Sequence, residues 1–133
     1  MKYLLDTNVC VDYLNGRFPR VIERIQQTAP EELATSSLVA AELRYGADKS
    51  QQPTRNHARL DVFLEEIRCL DFDLPAAVAY GALRAGLERR GRPIGAHDML
   101  IAAHAIAAGL VLVTDNVREF ARIGGLAVEN WRR

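Results

Sequence analysis

Leu110-Val111-Leu112-Val113-Thr114-Asp115-Asn116 is the stretch on which the fold of this chain turns. Four apolar residues run without a break and stop at a Thr-Asp-Asn sequence. A strand apolar at every residue, rather than at alternate ones, has no face for water and belongs in a parallel sheet covered on both sides. Tyr3-Leu4-Leu5 repeats the pattern near the start and stops at Asp6-Thr7-Asn8. Residues 3–6 and 110–113 are therefore expected as strands, the first ending on Asp6 and the second running through Thr114 to Asp115.

The segments between them alternate helix and strand. Thr7 or Asn8 can cap a helix to about Leu14, which Asn15-Gly16 stops. Pro19 opens a second helix to Gln27. Residues 33–35 are a weak strand, after which Ser36 and Ser37 cap a helix from Leu38 to Tyr45, ended by Gly46. Thr54 to Glu66 has helical spacing, with Leu60, Phe63, Leu64 and Ile67 on one side. A strand over 67–70 follows, then helices over 75–90 and 96–108. A short helix over 116–122 and an edge strand over 126–128 close the chain. Such alternation implies βα units: an α/β fold of three layers, α/β/α, around a central, mainly parallel sheet of four to five short strands. Ligands in such sheets gather beyond the carboxyl ends of the strands, where the strand order switches. If the strands ending at Asp6 and Asp115 are neighbours, both carboxylates reach that edge.

The 133 residues suffice for one domain, 1–133, with a real core. Hydrophobic residues make up 49% and charged residues 26%, as in a globular protein. The apolar run Met99 to Val113 is broken by His104 and Gly109 and is too short to cross a bilayer. The N-terminus does not read as a signal peptide, so a cytoplasmic protein is expected. Cys10 and Cys69 stand in apolar contexts without metal-ligand spacing and read as buried thiols, with a disulfide disfavoured in a reducing compartment. The formal net charge is zero, so any polyanion site must be local.

Two further acids stand on apolar stripes. Positions 38, 41, 42 and 45 read Leu, Ala, Glu and Tyr, and positions 98, 101, 102 and 105 read Asp, Ile, Ala and Ala. By that spacing Glu42 and Asp98 both face the sheet. Asp6, Glu42, Asp98 and Asp115 could each be a cap, a turn residue or a rim partner. Four such explanations at once are less economical than one shared acidic site. An unpaired buried carboxylate is costly or takes up a proton, so several together need a partner, and a divalent cation is the obvious candidate. Oxygen ligands without a His or Cys cluster favour Mg²⁺, with Mn²⁺ as the alternative. One such ion, or two about 4 Å apart, can activate water against a phosphodiester. Thr7, Asn8, Thr114 and Asn116 can orient the carboxylates or metal-bound water. His57 reads as exposed, and His97 and His104 as packed. No nucleophile elbow or nucleotide-binding glycine pattern is present.

At this point the residues match a known group. Leu4-Leu5-Asp6-Thr7-Asn8, Ala41-Glu42-Leu43-Arg44-Tyr45-Gly46, Gly95-Ala96-His97-Asp98 with Ile101-Ala102-Ala103-His104, and Val113-Thr114-Asp115-Asn116-Val117-Arg118-Glu119-Phe120 occur in order. The chain resembles the PIN-domain ribonucleases, and within them the VapC toxins of type II toxin–antitoxin systems. The resemblance spans essentially the whole chain. It implies a metal-dependent endoribonuclease toxin with Asp6, Glu42 and Asp98 at the acidic positions. The fourth position falls on Asp115 with a small shift, or on Asn116 holding water. The resemblance further implies tRNA as substrate, a VapB antitoxin that covers the site, and a toxin homodimer within a larger assembly. Arg84, Arg89, Arg90 and Arg92 could hold RNA phosphate, although a solvated helix end is the better explanation for any one of them. Apolar faces near Val11 to Leu14 and Leu38 to Tyr45 could line the antitoxin groove. Two other functions stay open: a phosphatase with Asp6 as nucleophile, although Asn8 stands where a second Asp is wanted, and an inactive PIN-like binding module.

Overall fold

A computed structural model describes residues 1–133. Its strands are β1 (Tyr3–Leu5), β2 (Leu33–Ser36), β3 (Arg68–Leu70), β4 (Val111–Val113) and β5 (Val128–Glu129). Its helices are α1 (Thr7–Leu14), α2 (Pro19–Gln27), α3 (Ser37–Asp48), α4 (Pro53–Glu66), α5 (Leu74–Arg89), α6 (Ala96–Ala108) and α7 (Val117–Phe120). The five strands form one sheet in the order β3-β2-β1-β4-β5, every pair parallel. Helices flank it, as the unbroken apolar strands require. Leu4, Leu5, Leu112 and Val113 have no exposed surface.

β1 is the centre from which the chain winds first to β2 and β3, and later to β4 and β5. The order therefore reverses between β1 and β4, the kind of switch point beyond which ligands gather in such sheets. Register aligns Leu5 with Val113, so Asp6 and Thr114 leave the sheet side by side. Local chemistry sets the helix entries. The Asp6 side chain caps α1, Ser36 Oγ accepts from Leu38 N–H at 3.0 Å to cap α3, and Asp73 caps α5. Gly109 closes α6 at φ 68°, a left-handed conformation that strains other residues.

Several expectations are corrected. α3 runs through Gly46 to Asp48, because the burial of Ala47 outweighs the modest cost of a helical glycine. The last strand is Val128–Glu129 rather than 126–128, and α7 is shorter than expected. Cys10 is buried, but Cys69 lies exposed on the edge strand β3, and both thiols are free. His57 is half-buried, its ring between Arg44 Nη1 (3.0 Å) and Asp48 Oδ1 (2.7 Å). No helix is long and apolar enough to cross a membrane.

Candidate active site

Asp6 is the first residue past β1, and the sheet itself positions it. Its N–H donates to the Val113 carbonyl at 3.0 Å, extending the ladder by one rung. Its Oδ1 accepts from Thr7 N–H at 2.8 Å, and its Oδ2 accepts from the Thr114 hydroxyl at 2.8 Å. Thr114, wholly buried, is held in turn by its N–H on the Glu129 carbonyl. Its Oγ1 also accepts from Asn116 N–H at 3.1 Å, so a polarised chain runs Asn116 to Thr114 to Asp6. Burial pushes the Asp6 carboxyl above its ordinary range, against the pull of the bonds from Thr114 and Thr7.

Asp98 stands half-buried in the first turn of α6. Its Oδ2 accepts from Asn116 Nδ2 at 3.3 Å. Burial raises its carboxyl, and the negative charges of Asp6 and Glu119 raise it further. Glu119, on α7, is thus a third acid at this spot that the sequence reading did not single out. It lies within the quoted motif Val113 to Phe120, three residues after Asn116, but on a helix too short to be assigned a face. Among the site's polar atoms, Thr7 Oγ1 and His97 Nε2 are buried without a partner.

The other two expected acids lie differently. α3 buries Val39, Leu43 and Ala47, so of the expected stripe only Leu38 packs against the core, while Ala41, Glu42 and Tyr45 are exposed. Glu42 instead lines a cleft of about 260 Å³ together with Thr7, Val11, Leu14, Leu43 and Leu60. Thr7 therefore joins Glu42 to the edge that carries Asp6. Asp115 is close enough to Asp6 to raise its carboxyl slightly, but both its oxygens are engaged. Oδ1 accepts from Asn8 Nδ2 at 3.2 Å and Oδ2 from Arg132 Nη1 at 3.0 Å. Asn116, not Asp115, is the residue that touches Asp98. Among the expected basic residues, Arg84 is tied to Glu88 (2.8 Å) and to the Tyr80 hydroxyl (2.9 Å), while Arg89, Arg90 and Arg92 are exposed and unpaired.

Three carboxylates meet here, two of them raised by burial, and no Lys or Arg pairs with Asp6 or Asp98. No three His, Cys, Asp or Glu side chains close around a point tightly enough to enclose an ion by themselves. Zn²⁺ wants such a closed set, whereas Mg²⁺ keeps several waters and takes one or two carboxylates. The oxygen donors and the unpartnered Thr7 hydroxyl therefore fit a hydrated hard cation. The model of the PIN domain family matches residues 3–126.

The chain belongs to the PIN domain family. Relatives of this PIN domain include the tRNA(fMet)-specific endonuclease VapC of Shigella flexneri, 44% identical over 98% of both chains. Ribonuclease VapC2 of Rickettsia felis is 43% identical, again over 98% of both. Among solved structures, DNA-bound VapBC from Salmonella typhimurium superposes with a TM-score of 0.93 at 41% identity, covering 98% of each chain. VapBC2 of Rickettsia felis bound to a promoter DNA fragment gives 0.91 at 42% identity. The covered parallel sheet expected from the strand pattern, and the PIN architecture implied by the resemblance, are the ones found.

Proposed function

We propose that this PIN domain is a VapC-type endoribonuclease toxin that hydrolyses RNA phosphodiester bonds with Mg²⁺, or Mn²⁺, as cofactor. The observation that carries the proposal is the pair Asp6 and Asp98 at the β1–β4 switch point. Both are raised by burial, and the protein supplies neither with a cation. The names of the relatives support the reaction class, and the Shigella flexneri enzyme's name makes tRNA the first substrate to try.

Asp6 and Asp98 would hold the ion, with Glu119 beside Asp98 and Asn116 supporting it. When bound, such an ion lowers the pKa of water and stabilises charge on the leaving oxygen. Thr114 and Thr7 keep the Asp6 carboxylate oriented, and Asn116 does the same for Asp98. Glu42, exposed on the cleft wall beyond Thr7, can accept a proton from an attacking water at its carboxylate oxygen. Asp115, placed in the metal site on sequence grounds, is assigned to the wall of the site, since it already has a cationic partner in Arg132 whereas Asp6 and Asp98 have none.

The solved VapBC complexes make a VapB antitoxin the expected partner. The cleft lined by Val11, Leu14 and Leu43 beside Glu42 is an apolar seat for it. A homodimer, a larger toxin–antitoxin assembly and a cytoplasmic location belong to the same reading. The deciding experiment incubates purified protein with initiator tRNA and Mg²⁺, alongside an EDTA control and the variants Asp6→Asn and Asp98→Asn. Cleavage lost in all three controls is expected. Cleavage that persists through chelation and both substitutions overturns the metal mechanism, and equal cutting of unrelated RNA overturns the tRNA assignment.

A further inference from the structure

Arg132 is the penultimate residue, yet its guanidinium sits among the acids. Nε and Nη2 grip both oxygens of Asp12 at 2.7 and 3.0 Å, and Nη1 holds Asp115 Oδ2 at 3.0 Å. The Phe18 ring lies against it, 4.2 Å from Cζ. Asp12 is buried, 2% exposed, so it needs this fork. The arginine is no loose end. Its own N–H donates to Asn130 Oδ1, and Trp131 before it is buried edge-on against Tyr3.

The acid-rich end of the sheet thus carries two sets of carboxylates. Asp12 and Asp115 share one internal cation, while Asp6, Asp98 and Glu119 have none. A second divalent ion, about 4 Å from the first, would need a further free carboxylate. Glu42, on the cleft wall beyond Thr7, is already taken as the proton acceptor, which leaves Asp115, next to Thr114, as the candidate by position. Asp6 accepts only from neutral donors, whereas Asp115 has a guanidinium on Oδ2, which offsets its charge and repels another dication. We propose that Arg132 is the internal counter-cation of this site, holding Asp115 out of metal coordination so that the PIN domain takes one divalent ion instead of two. The proposal rests on the metal-nuclease reading given above and concerns stoichiometry, not the existence of the site.

The test counts Mn²⁺ per chain, by calorimetry and by electron paramagnetic resonance, on the full-length protein and its variants. Wild type is expected to take one ion. Asp115→Asn should still take one, with affinity changed less than about threefold, because Asp115 is not a ligand. The double variant Asp12→Asn with Arg132→Gln removes both charges of the buried pair without stranding either, and frees Asp115. It should take a second ion, visible as spin coupling between the two Mn²⁺. Adding Asp115→Asn to that variant should restore one. Two ions on wild type, a tenfold or larger affinity loss in Asp115→Asn, or a folded double variant that stays at one ion each overturn the proposal. If the double variant does not fold, the wild-type count and the Asp115→Asn affinity decide it alone. Absence of Mn²⁺ binding in wild type removes the nuclease reading itself, whereas two ions there remove only the role of Arg132.

Discussion

The two carboxylate sets beyond β1 and β4 differ in what balances them. Asp12 and Asp115 are satisfied inside the protein by a fork of Arg132, with Asn8 completing Asp115. Asp6 and Asp98 are supported only by neutral donors, the hydroxyl of Thr114 and the amide of Asn116, and burial pushes both carboxyls up. The first arrangement stabilises the fold and leaves little for a ligand to do. The second costs folding free energy that the proposed cation would return on binding. Acids built for structure and acids built for chemistry are thus distinguished by their partners and not by their depth, since Asp12 is more buried than Asp6.

That contrast can be broken from either side. The largest effect is expected at the unbalanced set: Asp98→Asn should lower the cleavage rate on the order of 10³-fold, measured as tRNA turnover under saturating Mg²⁺, with the fold intact by circular dichroism. On the balanced set, Arg132→Ala strands buried Asp12 and should cost about 3 kcal/mol, read from the denaturation midpoint. A loss of only a few tenths would mean that Asp12 finds water. Thr114→Val removes the donor to Asp6 and the acceptor for Asn116 N–H. Mg²⁺ affinity measured by calorimetry should then fall about tenfold, with the fold retained.

The smallest effect has the sharpest sign. The folded-state pKa of Asp6 lies above its ordinary value of 3.8, so the folded protein holds that proton more tightly than the unfolded chain. The stability it contributes is therefore lost as pH rises from the ordinary value through the raised one, and the penalty is complete at neutral pH. Metal-free Asp6→Asn, which keeps the helix cap, should melt about 2–5 °C above wild type at pH 7. The gap should close as pH falls toward 4, and Mg²⁺ should reverse it. A metal-free variant less stable than wild type at pH 7 would contradict the burial penalty.

Much of this was legible in the chain, for identifiable reasons. The continuous apolar runs at 3–5 and 110–113 could only be interior parallel strands, and their shared register puts Asp6 beside Thr114. Glu42 and Asp98 were read by the same helical spacing with unequal success. α6 is buried nearly all round from Met99 to Ala105, so an inward stripe through Asp98 was safe. α3 carries apolar residues on both sides, and the line that packs is Val39-Leu43-Ala47, which leaves Glu42 on the wall of a cleft. Glu119 gave no periodic signal on a helix of four residues. The Arg132–Asp12 pair joins residues 120 positions apart, a pairing that no local pattern encodes.

The neighbours β1 and β4 come from opposite ends of the chain, residues 3–5 and 111–113, and Arg132 is the last residue but one. Neither the unbalanced acid pair nor the arginine fork beside it is a local structure, so each exists only once distant parts of the chain have closed on one another. Fraying of the β1–β4 seam would therefore dissolve the unbalanced acids and their balanced neighbours together.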